Sequence, residues 1–177
     1  MTQGKQLTSS FTVGVSLFAL FFIVGVAMNR NAMTSVAVNL KPGVEEPGDH
    51  HLLGIGDSDK LPDYELRFRD SEDWHTIGLQ ANQSASEGLE FPLKNPWPLY
   101  RVEEIQLIEN DHLENDVLEQ LPVKTNNLSG KSFEFEIIES SSWTAGAQWF
   151  WDTAIGKAFL FGITLGVAAI VISRLGV

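Results

Sequence analysis

The sequence predicts a membrane protein in which two transmembrane helices, one N-terminal and one C-terminal, flank one mainly-β, sandwich-like extracytoplasmic domain. Two apolar runs, residues 11–28 and 158–173, are each about long enough to cross a hydrocarbon core roughly 30 Å thick. All 23 Asp and Glu residues lie between these runs, from Glu45 to Asp152. Apolar and polar residues alternate in that interval with the period of half-buried strands. Together these patterns indicate one acidic β domain between two helices.

The composition shifts along the chain set the expected boundaries. We expect a tail at 1–10, a first helix at 11–28, a linker with a possible first strand at 29–62, the acidic β domain at 63–142, an aromatic segment at 143–153, a second helix at 154–174 and a tail at 175–177. The interval between the helices suffices for one domain only. The chain has no cysteine, which excludes disulfides and thiolate metal sites.

The basic residues predict the orientation of the two helices. Residues 29–152 hold 9 Lys or Arg against 23 Asp or Glu, whereas Lys5, Lys157 and Arg174 stand near the ends of the runs. Basic residues near membrane ends remain on the cytoplasmic side. The prediction is a two-pass protein of the bacterial inner (cytoplasmic) membrane, with cytoplasmic termini and a periplasmic domain. An alternative reading makes the first run a signal peptide cleaved near Gly25 and Ala27.

The strands of the middle domain are predicted from their alternation. Tyr64, Leu66 and Phe68 form one such set, and the segment at 133–138 forms another. Further strands are expected at residues 36–40, 74–80, 89–93, 102–108 and 117–123. Short strands at this spacing favour a β-sandwich. The apolar spacing within residues 113–121 also fits a helical turn, and that alternative stays open.

Small residues recur every fourth position in the second helix, at Ala154, Ala158, Gly162 and Gly166. Such a stripe lets another helix approach closely, so these four are candidate helix-packing residues. The partner helix could be the chain's own first helix, a second copy or another protein. Gly and Ala are also common in apolar helices without any such role.

An aromatic cluster precedes the second helix. Trp143, Trp149, Phe150 and Trp151, followed by Lys157, are the residue types that favour the headgroup region of a bilayer. We predict that these five residues lie at a membrane interface. A role in the core or in partner binding is the alternative for individual tryptophans.

One acidic hairpin suggests a metal site. Glu109, Asp111 and Asp116 fall in and just after a tight turn within residues 105–121, and Ca²⁺ prefers such oxygen ligands. This segment resembles the calcium-binding hairpin of C2-type β-sandwich domains, and the resemblance implies that these three residues are Ca²⁺ ligands. The family more often has Asp in place of Glu109, and Glu119 replaces its usual glycine. Acid-rich turns are also frequent in any domain of this charge. No other cofactor is predicted.

Other chemistries find little support in the sequence. His50 and His51 are adjacent, His75 and His112 stand alone, and no HExxH pattern appears. No nucleophile elbow, phosphate loop or dinucleotide motif is present. The acidic middle domain is a poor candidate for binding nucleic acid.

The leading functional hypothesis is therefore a non-enzymatic accessory or assembly subunit of a bacterial membrane protein complex. Its helices would dock laterally and its β domain would contact partners. The expected partners are the lipid bilayer and either other subunits of the complex or a second copy of the chain. The alternative is a membrane-tethered, Ca²⁺-dependent binding or sensing module, and an envelope enzyme comes third.

Overall fold

The computed structural model describes residues 3–47, 61–110 and 115–175, with side chains described for residues 16–47, 61–110 and 116–164. The chain divides into two compact units. The helical unit comprises Met1–Arg30 and Ser142–Val177, and the β unit comprises Asn31–Ser141.

The β unit contains two four-stranded antiparallel sheets. The strand bounds are β1 Asn31–Leu40, β2 Tyr64–Arg69, β3 Trp74–Gln80, β4 Leu89–Pro98, β5 Glu104–Asn110, β6 Asn115–Pro122, β7 Asn127–Ser129 and β8 Phe133–Ser141. The first sheet has the order β4-β1-β8-β7, and the second has the order β3-β2-β5-β6. Short 3-10 helices at Ala85–Glu87 and Leu99–Arg101 flank β4.

Both sheets contribute to one apolar core. The alternating residues Tyr64, Leu66 and Phe68 of β2 are buried, as the sequence pattern predicts. Strands of the other sheet supply a matching set at alternate positions, namely Val36, Val38, Leu89, Phe91, Phe133, Phe135 and Ile137. Paired antiparallel residues project from the same face of a sheet, so these rows meet in the space between the sheets. This mainly-β fold with two sheets is consistent with the predicted sandwich.

Several strands differ from their predicted bounds. The strand at 74–80 matches, but β4 extends past the predicted residue 93, because pairing with β1 resumes at Trp97 after a wide irregularity. Met33 pairs with Trp97 while Ser35 pairs with Pro92, so residues 93–96 leave the ladder. The segment for which a helical turn was the alternative forms strand β6 over its described part. Strand β7 was not predicted.

The helical unit consists of α1 Gln3–Met28, α2 Trp143–Asp152 and α3 Ala154–Leu175. Ser142 caps α2, since its hydroxyl accepts a hydrogen bond from the Ala145 amide at 3.4 Å. Thr153 separates α2 from α3: its hydroxyl donates to the Phe150 carbonyl at 2.6 Å and accepts from the Gly156 amide at 3.1 Å. The aromatic segment at 143–153 is therefore mostly helical.

The prediction of membrane-spanning helices requires correction. In the part of the chain that the structure describes, no helix is both long enough and apolar enough to cross a membrane. This finding overturns the two-span fold class, and with it the two-pass location in a bacterial inner membrane, the cytoplasmic termini and the periplasmic domain.

Candidate protein-binding surfaces

The centre of the helical unit is a cluster of aromatic rings around Phe150. This residue is 0% exposed, and its ring lies 4.8 Å from that of Phe22 and 5.6 Å from that of Phe18. Phe18 also stacks on Phe159 of α3 at 3.9 Å. Edge-to-face and stacked rings each add about 0.5–1.5 kcal/mol beyond the burial of their area. The cluster therefore joins α1, α2 and α3.

Two glycines make the close packing of α1 and α2 possible. A Cβ atom at Gly25 would lie 2.8 Å from the ring of Trp149. A Cβ atom at Gly146 would overlap the backbone carbonyl oxygen of Val26. Neither glycine belongs to the predicted small-residue stripe. The repeated spacing that singled out the stripe is absent around Gly25 and Gly146, so no comparable pattern marks these two glycines as packing residues.

The predicted stripe faces outward where it is described. Ala154 and Ala158 are exposed, and a Cβ atom at Gly162 would meet no described atom within 4 Å. Gly166 lies in the part of α3 whose side chains are not described. The role of the stripe in packing against another molecule stays a prediction.

The predicted interface residues occupy different environments. Phe150 is fully buried, so its side chain does not lie on the exposed surface. The ring of Trp149 packs against Gly25. Trp143 is 60% exposed and lies 5.7 Å from the guanidinium carbon of Arg30, a cation–π geometry. Lys157 is exposed. The ring of Trp151 contacts Phe22, Phe150 and Phe159.

Large apolar side chains cover much of the described helical surface. Met28 is 77% exposed, Phe161 66% and Leu17 62%. Other exposed large apolar side chains are Leu20, Phe21, Ile23 and Val24 of α1 and Ile155, Phe159, Leu160 and Ile163 of α3. Soluble monomers rarely expose contiguous apolar patches larger than a few hundred Å², and larger ones mark interaction sites. We name these residues, with Met28, Phe161 and Leu17, the helical apolar surface.

A smaller set of exposed residues lies on the outer face of the second sheet. Trp74 pairs with Arg69, Leu79 with Glu65, and all four side chains share the face opposite the core. Trp74 is 38% exposed and Leu79 is 54% exposed. The Arg69 guanidinium lies 5.8 Å from the Trp74 ring, and one of its terminal nitrogens is 3.3 Å from the Glu104 carboxylate. Tryptophan and arginine are enriched at interface hot spots.

Glu65 on this face is buried by polar partners. Its carboxylate accepts hydrogen bonds from Arg67 Nε at 2.6 Å, Thr76 Oγ1 at 2.8 Å and Asn110 Nδ2 at 2.7 Å. The hydrogen bond from Arg67 lowers the pKa of Glu65, and the Thr76 and Asn110 hydrogen bonds add to this effect against the opposing effect of burial. The sequence suggested an exposed position here, because Glu65 alternates with core residues.

Another carboxylate, Glu46, fixes the segment that follows β1. It accepts hydrogen bonds from the Tyr64 hydroxyl at 2.9 Å and the Ser84 hydroxyl at 2.6 Å, and it also accepts from the Ala85 amide. Burial raises the pKa of the Tyr64 phenol, and the hydrogen bond to Glu46 raises it further. The arrangement anchors the segment against β2 and the first 3-10 helix.

The predicted calcium ligands are only partly described. Glu109 is 1% exposed and pairs with the exposed Asp116 across β5 and β6, whereas Asp111 lies outside the described residues. Among the described residues, no group of three His, Cys, Asp or Glu side chains is placed to hold a metal ion. The set of three ligands therefore stays a prediction.

Calcium titration of the full-length protein tests that set. If the hairpin binds Ca²⁺, calcium at about 100 times its dissociation constant should raise the free energy of unfolding by about 2.7 kcal/mol. Asp116→Asn should remove most of this gain, and thermal melts with calcium or with a chelator measure both. Equal melting temperatures under the two conditions would exclude the calcium-dependent alternative.

His75 occupies a more structured position than its sequence context suggested. Its imidazole stacks on Phe68 at 4.9 Å and lies 4.7 Å from the Trp97 ring, and its Nε2 is 3.1 Å from Asp70 Oδ2. Burial opposes ionisation of Asp70, but amide hydrogen bonds from Asp73 and Glu72, together with the contact from His75, hold the pKa of Asp70 below its usual value. The other three histidines lie outside the described residues. The contacts of His75 with Phe68 and Trp97 are those of a packed structural residue.

Comparison with known proteins identifies no family or curated relative for this chain. No protein-family model matches this chain, and a search of the curated proteins finds no significant match.

Proposed function

We propose that the chain is a non-enzymatic accessory or assembly subunit of a protein complex, and that it is held in the complex through its helical apolar surface. The observation that carries this proposal is the exposure of large apolar side chains along both α1 and α3. Burying such surface gains about 25 cal/mol per Å². A structure that leaves it open is therefore expected to bind another molecule there.

The shape of the unit also favours a helical partner. Gly162 and Ala158 leave the described surface of α3 without bulky groups at their positions, beside the exposed rings of Phe159 and Phe161. A helix from another subunit can approach closely at small residues and pack against the neighbouring rings.

Substitution at Gly162 tests the proposal. Gly162→Leu places a bulky side chain where no described atom of the chain lies within 4 Å, so the protein's own packing should be unaffected. The added bulk should block close approach of a partner helix. We expect at least a severalfold loss of copurifying protein when the tagged full-length chain is isolated in mild detergent, with an unchanged helical circular dichroism signal.

Leu79→Ser is the control, because Leu79 is 54% exposed and apolar, like the residues of the helical apolar surface, but lies in the β unit. It should leave copurification near the wild-type level. If Leu79→Ser reduces the amount of copurifying protein and Gly162→Leu does not, the β unit rather than the helical unit binds the partner. Isolation of the chain with lipid and no stoichiometric protein would contradict the proposal, and self-association alone would identify a second copy as the partner.

A further inference from the structure

The outer face of the first sheet contains a shallow cavity that the proposed function does not use. Its volume is about 310 Å³, at the lower end of the range for ligand sites. Side chains from three neighbouring strands line it, namely Asn39 of β1, Glu134 and Glu136 of β8, and Asn127 and Ser129 of β7. We call this cavity, together with Ala37 and Glu90 beside it, the first-sheet groove.

The pairing of the strands places a small residue next to the cavity-lining Glu136. Ala37 pairs with Glu90 on one side and with Glu136 on the other, so a methyl group stands between two longer side chains. Neighbouring strands are about 4.8 Å apart, which separates those two glutamates by roughly 10 Å at the backbone.

Within the described parts of the chain, Glu90, Glu134 and Glu136 make no ion pair. Lys41, just past the end of β1, donates a hydrogen bond from Nζ to the Gly130 carbonyl oxygen instead. Like charges on neighbouring positions of a sheet repel each other. A bound cation would remove this repulsion.

We propose that the first-sheet groove binds an extended basic segment of a protein partner that carries arginine at alternate positions. Glu134 and Glu136 are two residues apart on β8, which places them about 6.6 Å apart along the strand. Arginines two residues apart in an extended segment have the same spacing and project from the same side. A guanidinium pairs with a carboxylate through two parallel hydrogen bonds, and the Asn39 and Asn127 amides and the Ser129 hydroxyl supply further acceptors.

A short peptide tests this surface on the full-length protein in non-ionic detergent. The probe is an acetylated and amidated five-residue peptide of glycine with arginine at its second and fourth positions, titrated by calorimetry at low ionic strength. Glu134→Gln combined with Glu136→Gln should weaken its binding by about tenfold or more, because two charge-assisted contacts are lost.

Glu45→Gln combined with Glu72→Gln is the charge-matched control, since both residues are exposed and lie outside the groove. This variant should bind the peptide within about twofold of the wild type. Equal weakening in both double variants would show attraction by net charge alone and would overturn the proposal, as would an absence of binding to the wild type. Neither result depends on the association of the helical unit.

Discussion

Gly146→Val should destabilise the helical unit by about 3 kcal/mol or more. The new Cβ atom would overlap the carbonyl oxygen of Val26, so the backbones of α1 and α2 must separate. Overpacking of this kind typically costs about 1–3 kcal/mol, and a clash with backbone cannot be relieved by a change of rotamer. Separation would also loosen the rings around Phe150. Urea unfolding of the full-length protein in detergent, followed by far-ultraviolet circular dichroism, measures the loss.

Gly162→Ala is the matched control for this prediction. It is also a glycine substitution in a helix, but its Cβ atom would meet no described atom within 4 Å. Alanine is favoured over glycine in a helix by up to about 1 kcal/mol, so this variant should be as stable as the wild type or slightly more stable. An unchanged urea midpoint for Gly146→Val would mean that α1 and α2 do not approach as closely as described.

The contrast between these two glycines shows which parts of the packing the sequence can predict. Small residues at every fourth position marked Gly162 as a candidate contact residue. Such a pattern shows only that these residues share one face of the helix. The contact at Gly146 depends on where α2 meets α1, and α2 follows α1 only after the whole β unit. Hydropathy has the same limitation, because an apolar run predicts that its side chains are buried but does not identify the molecule or segment that they contact.

Strand prediction succeeded where a strand has one face in the core. The alternation of Tyr64, Leu66 and Phe68 predicted β2 because their burial has a period of two. Strand β7 has only three residues, of which Leu128 alone is buried, and so short a segment carries no period. In β4, Asn95 and Pro96 are typical of a turn, and the sequence could not show that pairing resumes beyond them at Trp97.

The buried carboxylate of Glu65 depends on partners from three strands, and sequence alternation alone placed it in solvent. Arg67 lies two residues along β2, Thr76 comes from β3 and Asn110 comes from β5. Only the order of the sheet brings them together. Removing this acceptor should therefore have one of the largest effects on the β unit.

Glu65→Ala should lower the free energy of unfolding by about 2–4 kcal/mol. The variant leaves the Thr76 and Asn110 donors without their acceptor and leaves the Arg67 guanidinium without its counterion. The estimate stays below the upper range for buried ion pairs, because the Arg67 side chain is 30% exposed and can reach water. Thermal melts of the full-length protein at neutral pH should show a loss of about 10 °C or more.

The same carboxylate should contribute to acid unfolding. Its pKa is lower in the folded state, mainly because of the Arg67 hydrogen bond, so its stabilisation is present above the unfolded-state pKa of about 4.3 and is lost as the pH falls through the folded-state pKa. Glu65→Gln preserves the size of the side chain but does not titrate. Its stability should therefore fall less steeply than that of the wild type in this acidic range. Parallel curves for the two proteins would show that Glu65 has the same pKa in both states, and that the Arg67 contact does not stabilise its charge.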